Sequence, residues 1–337
     1  MEEDCKGYDQ PGEILLKLCL PTHGRGRTKL PAKAVGCPRA TQRDLPYAGV
    51  VAQVNGIMRP LNQQTVLISG ASSGIGEATV RRLVRAGANV ACAARRSDRL
   101  MALCAEIDPQ GKQTLALVGD VTIEADRRRW VEAALQRFGR IDALVNNAGY
   151  GQRGPIEQVP LEAIRRNFET NVFALLGLTQ LVTPLMRRQG EGRIVNIGSV
   201  AGKVARPMSS VYDATKHAVE AFTDGLRGEL KPFGIDVVLV RPGFILSEFM
   251  ASADRISADV IENPGAYAPF VESFRGGARK LHRIAGCPDD IARVVERSLA
   301  ARHPKTHYAA PRHAKVILFL KWVLPVRVLD WLVRLRG

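Results

Sequence analysis

Thr65-Val-Leu-Ile-Ser69-Gly70-Ala-Ser-Ser-Gly74-Ile-Gly76-Glu77 is the stretch that decides the fold. A short run of buried-strand character enters a turn with three glycines, and an amphipathic helical pattern follows from Glu77 to about Ala86. A strand that passes through such a turn into a helix start brings backbone N–H groups and the positive end of the dipole against a diphosphate. Gly70, Gly74 and Gly76 allow the close approach. Their spacing is GxxxGxG rather than the GxGxxG of the common dinucleotide fingerprint, and a lone glycine turn is a weak sign. Its context strengthens it, because Asn89-Val-Ala-Cys-Ala-Ala94 supplies a second strand at βαβ distance.

The end of that second strand bears on the cofactor. An NAD site places a carboxylate near the ribose hydroxyls, about 20 residues beyond the glycines, whereas an NADP site places a cation near the 2′-phosphate. Here Ala94 is followed by Arg95 and Arg96. Arg95 is the candidate for phosphate recognition, with Arg96 or Arg99 as helpers, since a guanidinium fork suits that group. Asp98 is the competing reading, but it sits past the strand in what reads as a helix cap. The expected cofactor is NADP(H), with NAD(H) as the alternative.

A second stretch carries chemistry: Ser209-Ser-Val-Tyr212-Asp-Ala-Thr-Lys216-His217, the start of a helix. Residues four apart share a helical face, so the phenol and the ammonium stand together. A free tyrosine deprotonates only near pH ~10, and a fixed cation beside it favours phenolate and makes it a usable acid/base. His217 is one residue off that face and reads as structural.

Between these stretches lie Gly119-Asp120-Val121 after a third strand, Asn146-Asn147-Ala148-Gly149 after a fourth, Asn171 in Glu-Thr-Asn-Val, and Ser199 in Asn-Ile-Gly-Ser; Arg241-Pro242-Gly243 follows. In this order, over about 60 to 300, the chain resembles the short-chain dehydrogenase/reductase family. The resemblance implies an α/β fold: a Rossmann-type doubly wound parallel sheet of seven strands in the order 3-2-1-4-5-6-7, as a single domain over 61–312. The short apolar runs Arg193–Ile197 and Asp236–Val240 agree with buried parallel strands.

The resemblance also implies roles. Tyr212 exchanges a proton with the substrate oxygen while hydride passes to or from the nicotinamide, and Lys216 lowers the tyrosine pKa and binds the nicotinamide ribose. Ser199 holds the substrate oxygen, and Asn171 keeps a water in a relay with Lys216. The implied cofactor contacts are Gly70, Ser72, Ser73, Gly74, Ile75, Gly76, Arg95, Arg96, Asp120, Val121, Asn147, Ala148, Gly149, Tyr212, Lys216, Pro242, Gly243, Ile245 and Ser247. Ser247 stands where many relatives have threonine and keeps the hydroxyl. No metal is needed, because proton and hydride both have carriers. Local alternatives stay open: Asn171 could pair within its helix, Ser199 could satisfy nearby backbone, Asp120 could cap a helix, and Asn146 and Asn147 could serve the sheet and the turn.

The remaining chain frames this core. Of 337 residues 46% are hydrophobic, enough for a large buried core, and the net charge of +15 is widely spread without a nucleic-acid motif. An anionic cofactor plus a basic tail accounts for it. Cys5, Cys19, Cys37, Cys92, Cys104 and Cys287 have no metal-ligand spacing and read as reduced thiols of a cytoplasmic protein.

Residues 1 to about 60 show no sustained period and receive no fold. The short apolar run 14–20 follows Glu2, Glu3 and Asp4, which argues against export; Met58 is expected to be the natural start, with the upstream part a gene-model extension or a disordered arm. Residues 244–286, with Phe249, Met250, Tyr267, Phe270, Phe274 and Gly276-Gly277, read as a substrate lid for an apolar or medium-sized molecule.

The tail, 313–337, is basic and apolar but interrupted by Lys321, Pro325, Arg327, Asp330 and Arg334, too short between breaks to span a bilayer. It reads either as short helices covering the substrate mouth or a subunit interface, or as an interfacial segment giving peripheral membrane contact through Trp322 and Trp331. The expected partners are a small carbonyl or alcohol and, by the resemblance, a second or further copies in a homodimer or homotetramer associating through the helices of Asn171 and Tyr212; no nucleic acid is expected. The alternative to an enzyme is an idle NADPH-binding sensor or scaffold, against which the complete set of Asn171, Ser199, Tyr212 and Lys216 argues.

Overall fold

Seven short runs form strands β1 (Thr65–Ser69), β2 (Asn89–Ala94), β3 (Thr114–Val118), β4 (Ala143–Asn146), β5 (Gly192–Ile197), β6 (Ile235–Pro242) and β7 (His307–Ala310). A computed structural model describes residues 58–272 and 284–335. The strands pair in parallel as one sheet in the order β3-β2-β1-β4-β5-β6-β7, the order that the motifs imply. The order reverses between β1 and β4, and such a switch point opens a crevice at the carboxyl edge of the sheet.

Helices α1 (Gly74–Arg85), α2 (Ser97–Ile107), α3 (Glu124–Phe138), α4 (Leu161–Phe168), α5 (Ala174–Gln189) and α6 (Ser210–Leu230) connect the strands through β6. The excursion after β6 carries α7 (Glu248–Ile256) and α8 (Ala258–Glu262), and α9 (Pro288–Ala300) then leads to β7. Two further helices, α10 (Arg312–Val323) and α11 (Val326–Leu335), end the described chain on either side of Pro325.

Because side chains alternate across a strand, the two faces of the sheet bury different sets. Val66, Ile68, Val90 and Cys92 pack with Val80, Leu83, Leu100, Ile291 and Val295 from α1, α2 and α9. Leu67, Ala91, Ala93 and Leu144 pack with Trp130, Leu178 and Met186 from α3 and α5. A polar device ties α9 to the sheet: fully buried Arg193 on β5 donates to the carbonyls of Ser298, Leu299 and Ala301 and pairs with Asp236 at 3.0 Å. A guanidinium there satisfies carbonyls that the end of a helix otherwise leaves unpaired.

Helix α1 starts at Gly74, earlier than the periodicity suggests, so Gly74 and Gly76 belong to its first turn. Glycine hides that start from propensity, yet it brings the helix end directly onto the crevice. The segment after β6 leaves and returns at one place: Ile245 bridges Gly286, Leu246 N donates to Gly286 O, and Gly286 N donates to Phe244 O, both at 2.9 Å. No helix among the described residues is long and apolar enough to cross a membrane. The readings made for residues 1–57, including their three cysteines, lie outside the described residues, as do Phe274, Gly276 and Gly277.

Candidate active site

One cavity of about 1120 Å³ occupies the carboxyl edge, larger than the roughly 300–1,000 Å³ of a site for one drug-sized molecule. It has room for a dinucleotide and a second molecule. Of the site residues named from the sequence, all but Gly76 and Asn171 line it. Gly76 lies beneath the turn, where an added Cβ would fall 2.1 Å from Gly70 O. Gly74 has φ +56 and lines the cavity, where an added Cβ would lie 3.5 Å from Ser247 Cβ, so the chain passes there without a side chain between α1's N–H groups and a ligand. The cradle therefore fits a diphosphate.

Below it, Asn147 Nδ2 donates to Ser69 O and Gly70 O at 3.0 and 3.1 Å, while Asn146 Nδ2 donates to Thr179 and Asn196. Both asparagine side chains thus brace the turn and the sheet. Asp120 Oδ1 accepts from the N–H and hydroxyl of Thr122, closing a side-chain turn, and the helix after it is entered from Ile123 instead.

Arg95 and Arg96 both reach the cavity. The Arg95 side chain is 74% exposed and lies 3.7 Å from Asp120. Arg96 donates to Ser72 Oγ at 3.3 Å and to Glu248 at 2.8 Å, and Arg99 reaches the same carboxylate at 2.5 Å. The two arginines hold the Glu248 carboxyl down to about 2, well below the usual range. A residue of the excursion is therefore clasped to the β2–α2 corner.

Tyr212 and Ser199 both set their hydroxyls in the cavity, and Ser199 Oγ accepts from Ala201 N at 3.1 Å. Burial pushes the Tyr212 phenol up to about 12; the Arg206 cation, the Ser199 hydroxyl and Arg153 pull it back in part. Lys216 lines the same cavity. Its ammonium donates to Ile197 O at 2.8 Å and stands 5.8 Å from the Tyr212 ring centre, and burial lowers its own pKa to about 8. At this phenol burial thus outweighs the neighbouring cations in the cofactor-free protein.

Asn171 sits in a π turn, Glu169–Phe173, whose Nδ2 donates to Tyr150 O and Thr215 Oγ1 and whose Oδ1 accepts from Tyr150 N. Its side chain braces the loop against α6 rather than pairing within its own helix. His217 is exposed and hydrogen-bonds Asp213 O, consistent with a structural residue.

Several cavity residues carry no motif. Arg206 pairs with buried Asp213 at 2.8 Å and lines the cavity beside Tyr212. Buried Arg153 pairs with Asp254 of α7 at 2.7 Å, and its N–H donates to Ser257 Oγ at 2.9 Å. The Phe249 ring meets Tyr212 edge-on at 5.4 Å. His313, at the start of α10, accepts from Phe244 N at 2.8 Å; a Cβ at Gly243 would lie 2.3 Å from its ring. Ile317, Leu320, Leu329 and Leu332 from α10 and α11 complete the apolar wall. Among the described residues there is no cluster of three or more His, Cys, Asp or Glu with metal-holding geometry.

Residues 64–256 match the family described as short chain dehydrogenase. An uncharacterised oxidoreductase of Bacillus subtilis, YusZ, is 30% identical over 268 residues, covering 79% of this chain and 95% of that protein. The NADPH-dependent 3-dehydrocapnine reductase of Ornithobacterium rhinotracheale is 32% identical, covering 78% and 94%. Among solved structures, the 3-ketoacyl-(acyl-carrier-protein) reductase of Brucella melitensis complexed with NADH superposes with a TM-score of 0.62 at 29% identity, covering 74% of this chain and 97% of that one.

Proposed function

The chain belongs to the short-chain dehydrogenase family of oxidoreductases acting on CH–OH groups, and from that premise we propose that it is an NADP(H)-dependent reductase of apolar carbonyl compounds, with Tyr212 as the acid/base. The observation that carries this reading is that Ser199, Tyr212 and Lys216 line one cavity with the glycine cradle on one side and an apolar wall on the other. The nicotinamide, when bound, supplies or takes up hydride. Tyr212 gives its proton to the carbonyl oxygen, and a phenol held near 12 is protonated throughout the neutral range, which suits donation. Ser199 orients that oxygen. Lys216, buried at the same floor, binds cofactor hydroxyls and supplies positive charge where negative charge develops on Tyr212.

Ser72 and Arg96, in contact with each other and flanked by Arg95, favour a 2′-phosphate, and the NADPH-dependent relative supports that preference. The Brucella structure with NADH keeps NAD(H) as the alternative. Residues 244–286 act as the substrate lid, anchored by Arg153–Asp254 and packed on Tyr212 through Phe249. Exposed Phe173 and Phe222, on the elements carrying Asn171 and Tyr212, support association of two or more copies through those helices.

The test is oxidation of NADPH and NADH with a panel of aldehydes, ketones and β-ketoacyl esters, wild type beside Tyr212→Phe. Turnover with NADPH that disappears in the variant is expected. Tight NADPH binding without turnover of any carbonyl would move the protein to a sensor or scaffold.

A further inference from the structure

Helix α10 is apolar around most of its circumference, Val316-Ile-Leu-Phe-Leu320 and Trp322-Val323 interrupted by Lys321, yet only Ala314 in it is buried. Helices apolar on all sides are covered by protein or lipid. One face is accounted for: Ile317 and Leu320 line the active-site cavity, as do Leu329 and Leu332 of α11. The other face carries Val316, Phe319, Trp322 and Val323, all more than half exposed, with Trp322 at 82% and its ring 6.3 Å from that of Phe319.

At 100° per residue, Arg312 and Lys315 fall on that same outer stripe. In α11, Val326, Arg327 and Trp331 are likewise exposed. Over the two helices the sequence sets the cations Arg312, Lys315, Lys321, Arg327 and Arg334 against a single acid, Asp330. The cavity rim continues the pattern, since Ile256 and Phe270 of the excursion both line the cavity and stand about half exposed.

Aromatic and aliphatic side chains on a short, non-spanning basic helix pair match the requirements of an anionic bilayer surface: rings at headgroup level and cations against lipid phosphate. We propose that α10 and α11 dock the enzyme on anionic membranes and that its apolar substrate enters the cavity from the lipid, past helices that touch bilayer on one side and substrate on the other. This rests on the apolar-carbonyl reading of the site. A protein partner would also cover the apolar stripe, but the excess of cations bordering it and its continuity with the cavity rim favour lipid.

The experiment uses the full chain with vesicles of phosphatidylcholine, with or without phosphatidylglycerol, at low and high salt. Wild type should float with the phosphatidylglycerol vesicles, less so at high salt, and its tryptophan emission should shift to the blue, because Trp130 is already buried and only Trp322 and Trp331 can change surroundings. Trp322→Ser/Trp331→Ser, which replaces no cavity-lining residue, should lose vesicle partitioning by at least about tenfold. It should keep wild-type NADPH oxidation with a water-soluble carbonyl and lose it selectively for a carbonyl dissolved in the vesicles. Arg312→Glu/Lys315→Glu, altering exposed positions only, gives an independent loss if the first variant folds poorly.

Absence of flotation at low salt overturns the proposal, as does equal flotation of the charge-reversed variant. A wild-type dimer that the tryptophan changes convert to monomers, without vesicle binding, assigns the surface to a second copy instead. Because turnover of the soluble carbonyl is read in the same samples, loss of docking with turnover intact removes this inference alone, whereas no turnover at all removes the reaction on which it rests.

Discussion

Trp130 and Trp322 stand in opposite surroundings within one chain. The first is 1% exposed, locked between α3 and the sheet with its indole N–H on Val118 O at 3.4 Å; the second is 82% exposed, with Phe319 as its ring neighbour. Around the first, from β1 to β6, each piece of the cradle has a fixed partner: Asn147 on the glycine turn, Asn171 on Tyr150 and Thr215, Lys216 on Ile197. Around the second, after β6, the apolar wall of the cavity is built from elements whose outer sides are also apolar. The difference teaches how labour is divided. Reaction chemistry sits on rigid, hydrogen-bonded floor, and substrate choice sits in the part that meets its surroundings.

The contrast can be sharpened by removing each ring. Trp130→Ala should cost about 3–5 kcal/mol in urea denaturation, as for large buried aromatics, while Trp322→Ala should stay within about 0.5 kcal/mol. Equal costs would mean that the tail is as integral as the core.

Next in size, Lys216→Met should lower kcat by roughly a hundredfold, since it removes a charge acting where the reaction develops negative charge. A variant of the lid anchor, Asp254→Ala, should act mainly through KM for the carbonyl.

A smaller effect concerns cofactor choice. Arg96→Ala should reduce the NADPH-over-NADH preference in kcat/KM by about tenfold or more, the loss of one charge-assisted contact. Glu248→Gln frees Arg96 and Arg99 from their shared carboxylate and should tighten NADPH binding by a few-fold in fluorescence titration. If it weakens binding, the clasp across the cleft matters more than the competition.

The smallest effect is in pH dependence. Lys216 has its folded pKa lowered to about 8 from 10.5, so between these values the unfolded chain binds more protons than the folded one. Stability from this group is fully present above 10.5 and is lost as pH falls through 8. Tyr212, raised from 10 to about 12, acts in the opposite sense and only above pH 10. Cofactor-free protein should therefore gain urea resistance from pH 8 to 10, and Lys216→Met should flatten that gain.

What was legible in the sequence follows the same division. The glycine turn, the Tyr212/Lys216 spacing and the alternating strands are local patterns, so strand order and the cradle side of the cavity could be placed from motifs. Arg153, Arg206 and His313 were not, because each matters through a contact distant in sequence or through burial, and a lone arginine or histidine carries no period. The Glu248 clasp joins positions about 150 residues apart and could not be read from either end. The protonation balance at the phenol was not legible either, because proximity on a helix face says nothing of desolvation.

The most direct measurement is kcat/KM for NADPH-dependent reduction across a homologous series of straight-chain carbonyl compounds, with Tyr212→Phe as control. An apolar cavity wall predicts a rise of about three- to fourfold per added methylene until the cavity is filled, and loss of the whole series in the variant. A flat series, a preference for short polar carbonyls, or turnover that survives removal of the phenol would contradict the account.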